Sequence, residues 1–490
     1  MKDGCSRILP LGALAALLAG CVTAPVPERT DHPWDPPSGA RTGSRVWDDL
    51  RQRQPDLSQP LTLAELTDLA LQHSSAARKA WHDARAAAAQ VDKAQGIFMP
   101  AVTANAGASR SGVSASPGSF DAQSVHYGPG LQLNYLVINF GGGRAAAVEQ
   151  ALQTVYAADY AFNGTIQDVL LVVQTAYFNC ISAQAGVEAS LATVVDARKA
   201  LEAAQARNTA GMGTALDVLQ VQAALDQALY NQAAARGQLQ VARGALALAV
   251  GLPADAAVQP ANPAAELPAS LATNDVRRII DEAIARRPDI AALRANLAAS
   301  QAAIQVAHAA SWPNLYLNAN LNRNYYDAFA GKPSQGDHDW SYGAGINLQW
   351  TIFDGWQTES AIRTAEEQAK SSEALLEQAE LVASGEVWVR FQNYETALQK
   401  HAFSTAYLKS ATAARDLANE AYTAGLKTIL DLLTADAQLA LARSQQVTVR
   451  QEVFTALAGL VRAAGRLESN ATGDLSHNIF TDPVQKETKP

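Results

Sequence analysis

The sequence predicts a mixed α/β chain built from two similar halves, each joining a β-hairpin to a pair of very long antiparallel helices. Three observations lead there. Thr209-Ala210-Gly211-Met212-Gly213-Thr214-Ala215-Leu216-Asp217-Val218-Leu219 returns as Thr423-Ala424-Gly425-Leu426-Lys427-Thr428-Ile429-Leu430-Asp431-Leu432-Leu433. Aligned without gaps over 209–251 and 423–465, about 16 of about 43 positions are identical, at a spacing of about 214 residues. Solenoid units run only ~20–50 residues, so this is a duplicated half-molecule. The second observation is a pair of proline-free stretches at 144–208 and 358–423 with apolar residues at helical spacing. The third is a change of apolar period from helical to two after Pro100 and again after Pro313.

The N-terminus comes first in chain order. Lys2 and Arg7 precede an apolar run, Ile8 to Leu18, that is too short to span a bilayer. It ends in Leu18-Ala19-Gly20-Cys21, which looks like the lipobox of bacterial lipoproteins. Residues 1–20 are then a signal peptide and Cys21 the lipidated first residue of the mature chain; an ordinary signal with a chance cysteine is the plainer alternative. Val22 follows, not the Asp that holds such proteins at the inner membrane, which implies the outer membrane. Residues 21–59, rich in Pro, Arg and Asp, form a tether. With Cys5 in the signal and Cys21 lipidated, Cys180 is left without an intramolecular partner for a disulfide.

The first repeat is assigned to residues 60–270. A helix over 61–98 opens with Thr62 as N-cap and Glu65 three residues later, a capping box, and stops at Met99-Pro100. Strands follow over 102–109, the weakest patterned, and 128–138, where Leu131, Leu133, Tyr135 and Val137 share a face, in a hairpin placed at 101–138. A helical hairpin fills 144–250. The second repeat, 271–470, has a helix over 275–311 stopped by Trp312-Pro313, a hairpin at 314–353 and a helical hairpin at 358–465; 471–490 is a tail. In its strands, Leu315, Leu317, Ala319 and Leu321 alternate with Tyr316, Asn318, Asn320 and Asn322. Tyr342, Ala344, Ile346, Leu348, Trp350 and Ile352 alternate with Gly343, Gly345, Asn347, Gln349 and Thr351.

A soluble hairpin turns such an apolar face to a core, and a transmembrane barrel turns it to lipid with its amides toward water. Strand length does not choose, since both fit ~9–11 residues. Two hairpins give four strands, too few to enclose water, so a barrel needs several chains. The long helices would each extend ~95–100 Å, a length that belongs to coiled coils. Val387, Phe391, Tyr394 and Leu398 share one stripe, and Val169, Val173, Ala176 and Cys180 another, which makes Cys180 a packed core thiol.

Hairpin, long helix, Gly-Thr turn and returning helix, duplicated behind a lipobox, together resemble the TolC outer-membrane factor family, in particular the lipoprotein members that serve tripartite drug or metal efflux pumps. The resemblance runs from Leu61 to about Leu467, and its strongest markers are the two Thr-Ala-Gly-x-x-Thr-x-x-Asp-x-Leu turns and the two Pro-ended helices that enter strands. It implies a homotrimer with a twelve-stranded transmembrane β-barrel, four strands per chain, continued by a periplasmic α-helical coiled-coil barrel. It also implies a periplasmic adaptor and an inner-membrane pump as partners, and outer membrane lipid around the barrel.

The resemblance places the tip turns, Gly211, Met212, Gly213, Thr214 and Gly425, Leu426, Lys427, Thr428, at the periplasmic end, docked on the adaptor. Gly closing one helix and Thr capping the next explain the Gly and Thr in full. The docking role therefore rests on Met212, Leu426, Lys427 and the resemblance. Asp217 and Asp431 lie in first turns, where Asp meets the helix dipole favourably. In similar proteins, acids on the returning helix of the second half form a constriction ring; Asp431 matches one such position. The other is Thr434 here, a departure, with Asp436 further along. Asp431 and Asp436 are thus the gate candidates, and three converging carboxylates would favour cations.

Other chemistry is not expected. Net charge is −9 with a pI near 5.4, against a nucleic-acid partner. Asn139-Phe140-Gly141-Gly142-Gly143 lacks the Gly-Lys-Ser/Thr of a phosphate loop, and a strand-to-helix bend explains it. The eight histidines show no ligand spacing and the three methionines form no thioether ladder, so no metal or cofactor is expected. No nucleophile–base–acid set is present, so the chain is not expected to be an enzyme. Two alternatives stand beside an efflux duct that conducts small molecules passively: a type I protein secretion duct and a lipid-anchored structural coiled coil.

Overall fold

The two halves repeat each other at a constant offset. The structure, a computed structural model, describes residues 57, 59–113, 122–261, 275–328 and 338–466. Apart from residues 57 and 59, the signal, Cys21 and the tether lie outside these, as do the hairpin loops and the C-terminal tail. All described residues belong to one unit within Asp56–Pro490. In order they form α1 (Leu63–His73), α2 (Ser75–Gly96), β1 (Ala101–Val113), β2 (Ala122–Asn139), α3 (Gly143–Thr209) and α4 (Ala215–Ala249). The second half gives α5 (Asp275–Arg286), α6 (Pro288–Ala309), β3 (Asn314–Ala328), β4 (His338–Gln349), α7 (Gln357–Thr423) and α8 (Ile429–Ala463). Both long helices have 67 residues and both returning helices 35, and every one of their boundaries is shifted by 214 residues.

The strands form one antiparallel sheet in the order β1-β2-β3-β4. Each strand is continued by a helix, and these pack in the same order, α2 on α3, α3 on α6 and α6 on α7. Further from the sheet, α4 and α8 take the places of α2 and α6, giving α4-α3-α8-α7. Only α3 and α7 run through both levels. The largest buried clusters lie where the levels meet, around Phe391, Tyr394, Leu457 and Leu460 in one half and Leu66, Val173, Cys180 and Leu246 in the other. Cys180 is fully buried, the packed thiol that its stripe predicts.

Three expectations need correction. The helices expected at 61–98 and 275–311 are each two helices. Ser74 is extended and its hydroxyl accepts from Ala77 N–H, while Arg287 is extended because Pro288 follows it. A glycine at the end of each returning helix fills the break. A Cβ on Gly251 would lie 2.9 Å from the His73 carbonyl oxygen, and one on Gly465 3.0 Å from Arg287 N, with both glycines at positive φ.

The strands differ too. β1, β2 and β3 are longer than expected, whereas β4 spans His338–Gln349, so Trp350–Phe353 leaves the sheet. There the Trp350 indole N–H donates to the Ser311 carbonyl at 3.0 Å. Third, Val137 drops out of the apolar row, because β2 bulges between Leu136 and Ile138 and Ile138 takes the place opposite Leu315. Arg144, in the first turn of α3, donates to the carbonyls of Leu136 at 2.6 Å and Val137 at 2.9 Å, which fixes the bulge.

Candidate functional site

Two surfaces carry chemistry, the sheet and the far ends of the helical hairpins. Directly paired residues of an antiparallel sheet share a face. The register therefore builds apolar rungs across the strands: Leu131, Leu321 and Tyr342; Leu133, Ala319 and Ala344; Tyr135, Leu317 and Ile346; Ile138, Leu315 and Leu348. Val102 and Ala104 extend them onto β1. These side chains are exposed, with Tyr342 at 83% and Ile346 at 71%. The opposite face is amides, Gln132, Asn134, Asn318, Asn320 and Asn347 among them. Among the described residues no core covers the apolar face. At its helix end gather the exposed aromatics Phe98, Phe140, Trp312, Trp350, Phe353 and Trp356, and at its loop end Tyr127, Tyr325 and Trp340. One apolar face, one amide face and aromatics at both ends is the pattern of barrel strands in lipid. The α3 helix also has a window apolar enough to cross a bilayer, and Leu170, Val173, Tyr177 and Phe178 of that helix are buried against other helices.

The tips follow from their sequence. Gly211 and Gly425 both take φ 75°, closing the long helices with Met212 N–H donating to Arg207 O at 2.9 Å and Leu426 N–H to Ala421 O at 2.8 Å. Thr214 and Thr428 then cap the returning helices in full capping boxes with Asp217 and Asp431. Met212 is 67% and Leu426 80% exposed, the outermost apolar groups of the turns.

The two gate candidates are placed apart. Asp431 accepts from the Thr428 hydroxyl at 2.8 Å and its backbone N–H at 3.0 Å, and Lys427 Nζ stands 3.6 Å away. The Thr428 bonds first, and Lys427 after them, hold its carboxyl below the ordinary carboxylate range. Its side chain is 42% exposed. Asp436, with 17% of its side chain exposed, turns into the layer. It accepts from Arg415 Nε at 3.0 Å, and Arg415 also reaches Asp196 at 3.5 Å, which in turn binds Arg443 at 2.9 Å. Burial raises the Asp436 carboxyl above its usual value in spite of Arg415.

One further contact ties the halves. Arg207, at the end of α3, donates to the Tyr422 carbonyl at 2.7 Å, and its guanidinium lies 4.8 Å from the centre of the Tyr422 ring. Sequence reasoning did not single out Arg207, Tyr422, Asp196, Arg415 or Arg443. The available signal was a failure of the repeat. At the 214-residue offset Arg207 is matched by Ala421, Asp196 by Ser410, Arg415 by Leu201, Arg443 by Leu229 and Asp436 by Gln222. Among the described residues no group of three or more His, Cys, Asp or Glu is placed to hold a metal.

The model of the outer membrane efflux protein family matches this chain twice, over residues 66–252 and 279–466. Protein CyaE of Bordetella pertussis is 30% identical over 429 residues, covering 84% of this chain and 86% of that protein. The pyoverdine export outer membrane protein OpmQ of Pseudomonas aeruginosa is 29% identical over 482 residues, covering 93% and 96%. Among solved structures, the outer-membrane channel OprN superposes with a TM-score of 0.71 at 24% identity, over 84% of this chain and 90% of that one.

Proposed function

The chain belongs to the outer membrane efflux protein family, and from that premise we propose that it is the outer membrane channel of a tripartite efflux system, conducting small molecules outward passively. The observation that carries the proposal is the four-stranded sheet with an exposed apolar face, an amide face behind it, and two 67-residue helices leading away. The protein resides in the outer membrane and extends into the periplasm. The family is one of channels rather than enzymes, and the energy for export comes from an inner-membrane pump.

A homotrimer completes the channel. Among the described residues β1 and β4 each pair on one side only, and α7 and the α2/α4 edge are likewise left at the borders of the helix layer. Three copies joined edge to edge give twelve strands and remove every open sheet edge. The repeats at 60–270 and 271–470 are the units of that pseudo-symmetry, and Cys21 is the lipid anchor.

At the periplasmic end, Gly211–Thr214 and Gly425–Thr428 form the adaptor-docking tips, with exposed Met212, Leu426 and Lys427 as contacts. Asp431 is the gate carboxylate, and Asp436 acts on the same region from within the layer by holding Arg415. The name of one relative concerns export of pyoverdine, which supports outward transport of a secreted compound.

The test is the Cys21→Ser chain. It should still need detergent and give stepwise conductance in planar bilayers. A detergent-free monomer or dimer without conductance would overturn the channel. Cross-linking from Met212 and Leu426 in cells should capture a periplasmic adaptor.

A further inference from the structure

The lipid-facing side of the sheet carries one charge among the residues whose side chains are described. Arg323 sits on that face, directly opposite Trp340 and one rung beyond Leu321 and Tyr342. Its guanidinium lies 5.0 Å from the centre of the Trp340 ring and 5.7 Å from that of Tyr325, and Tyr325 stacks on Tyr127 at 5.5 Å. No carboxylate whose side chain is described pairs with it. A cation facing hydrocarbon is strongly disfavoured at the bilayer midplane and far less so near the interfaces. Arg323 therefore needs a headgroup level to be tolerated.

The strand geometry supplies that level. Trp350, the first residue past β4 at the helix end of the apolar face, and Trp340 within β4 are ten residues apart, or ~33 Å at the rise of a strand. At a tilt of ~40° this rises ~25 Å, the height of the apolar band of an outer-membrane barrel. The ring of aromatics around Trp350 then marks the periplasmic interface, and Arg323 lies at the opposite one, in the outer leaflet. The lipid there is a phosphorylated glycolipid. A guanidinium beside two aromatic rings keeps N–H donors for a phosphate, and the rings suit the sugar and acyl boundary.

We propose that Arg323, flanked by Trp340, Tyr325 and Tyr127, is a binding site for a phosphate of the outer-leaflet glycolipid, present once per chain on the outside of the barrel. The proposal rests on the outer membrane reading above, and its test separates the two by recording conductance of every sample.

The full-length protein, purified in detergent, is titrated with bis-phosphorylated lipid A or with the same lipid stripped of phosphate, and retained lipid is counted by native mass spectrometry. Wild type should prefer the phosphorylated form by about fivefold per site, from ~1 kcal/mol per basic residue near an anionic surface. Arg323→Gln should lose that preference and keep its conductance, and Arg323→Lys should retain part of it. Inorganic phosphate alone at millimolar concentration should not displace the lipid. An unchanged preference in Arg323→Gln, indifference of the wild type to phosphate, or displacement by inorganic phosphate would each overturn the site. If Arg323→Gln does not assemble, the wild-type ratio and Arg323→Lys decide. Loss of conductance in the wild type would strike the channel reading instead.

Discussion

Arg207 and Tyr422, 215 residues apart in the chain, are joined twice at the hairpin tips, by a 2.7 Å hydrogen bond to the Tyr422 carbonyl and by the guanidinium over its ring. The bonded carbonyl belongs to the last turn of α7 and also accepts from Gly425 N–H at 3.0 Å, so the guanidinium is a second donor to it. Arg207 thus closes the end of the second-half helix with a side chain from the first half.

Arg207→Ala should release that tie. A charge-assisted hydrogen bond is worth ~1.5–3 kcal/mol when buried, and at this half-exposed position about 1 kcal/mol is expected. That moves a closed-to-open ratio about fivefold toward open. Planar-bilayer recordings should show a higher open fraction for Arg207→Ala, with a smaller change for Arg207→Lys.

Asp431 has two duties that one substitution can separate. Asp431→Asn keeps an oxygen for the Thr428 N–H and hydroxyl, so the returning helix stays capped. It removes the charge. Conductance should rise and cation preference fall, while the thermal midpoint barely moves. Asp431→Ala should raise conductance as well and lower the midpoint through loss of the cap. Unaltered conductance in both removes Asp431 from the gate.

Asp289 and Asp436 should respond to acid with opposite signs. Burial alone would raise the Asp289 carboxyl, but the hydrogen bonds and charge of Arg287 outweigh it and hold it below its usual 3.8. The unfolded chain then takes up this proton first, so the stability from Asp289 is full above 3.8 and is lost as pH falls through the lower folded value. Asp436 is raised, so in the window above 3.8 the folded state binds the proton more readily and stability from this group grows as pH falls. Thermal midpoints between pH 6 and pH 3 should show a shallower acid loss in Asp289→Asn and a higher neutral-pH midpoint in Asp436→Asn.

Gly251→Ala and Gly465→Ala should destabilise more than Gly211→Ala. All three take positive φ, which costs a side-chain-bearing residue ~1–2 kcal/mol. At Gly211 a Cβ meets nothing within 4 Å, whereas at Gly251 and Gly465 it presses on the backbone of the helix breaks at His73 and Arg287. Thermal unfolding of the three variants side by side gives the order.

What was legible follows from locality. Thr62, Thr214 and Thr428 announced their caps, Gly211 and Gly425 their turns, and the 67-residue helices were readable to within a residue or so. The breaks were not, because Ser74 lies in an alanine-rich run of good helix formers and the break is filled by Gly251, far along the chain. Arg287-Pro288 did carry a local signal. The bulge at Val137 depends on Arg144, which lies in the next element, and strand alternation runs straight through it. The ion pairs of the candidate gate region are likewise non-local, visible only as charges that one copy of the repeat has and the other lacks.

The junctions between sheet and helix are built stiffly. Arg144 clamps the bulge in the first half. Gly141 and Gly143 let the start of α3 press against Ala309, where a Cβ on Gly143 would be 2.6 Å from the Ala309 side chain. In the second half Asp354 accepts from the backbone N–H groups of Gln357 and Thr358, and from the Thr358 hydroxyl at 2.6 Å. A 67-residue helix is ~100 Å long, so a pivot of one degree at such a joint would swing its far end by about 1.7 Å. The chain is therefore a lever anchored at a rigid fulcrum, and a displacement of a few ångströms at the tips demands only a slight bend shared along the shaft.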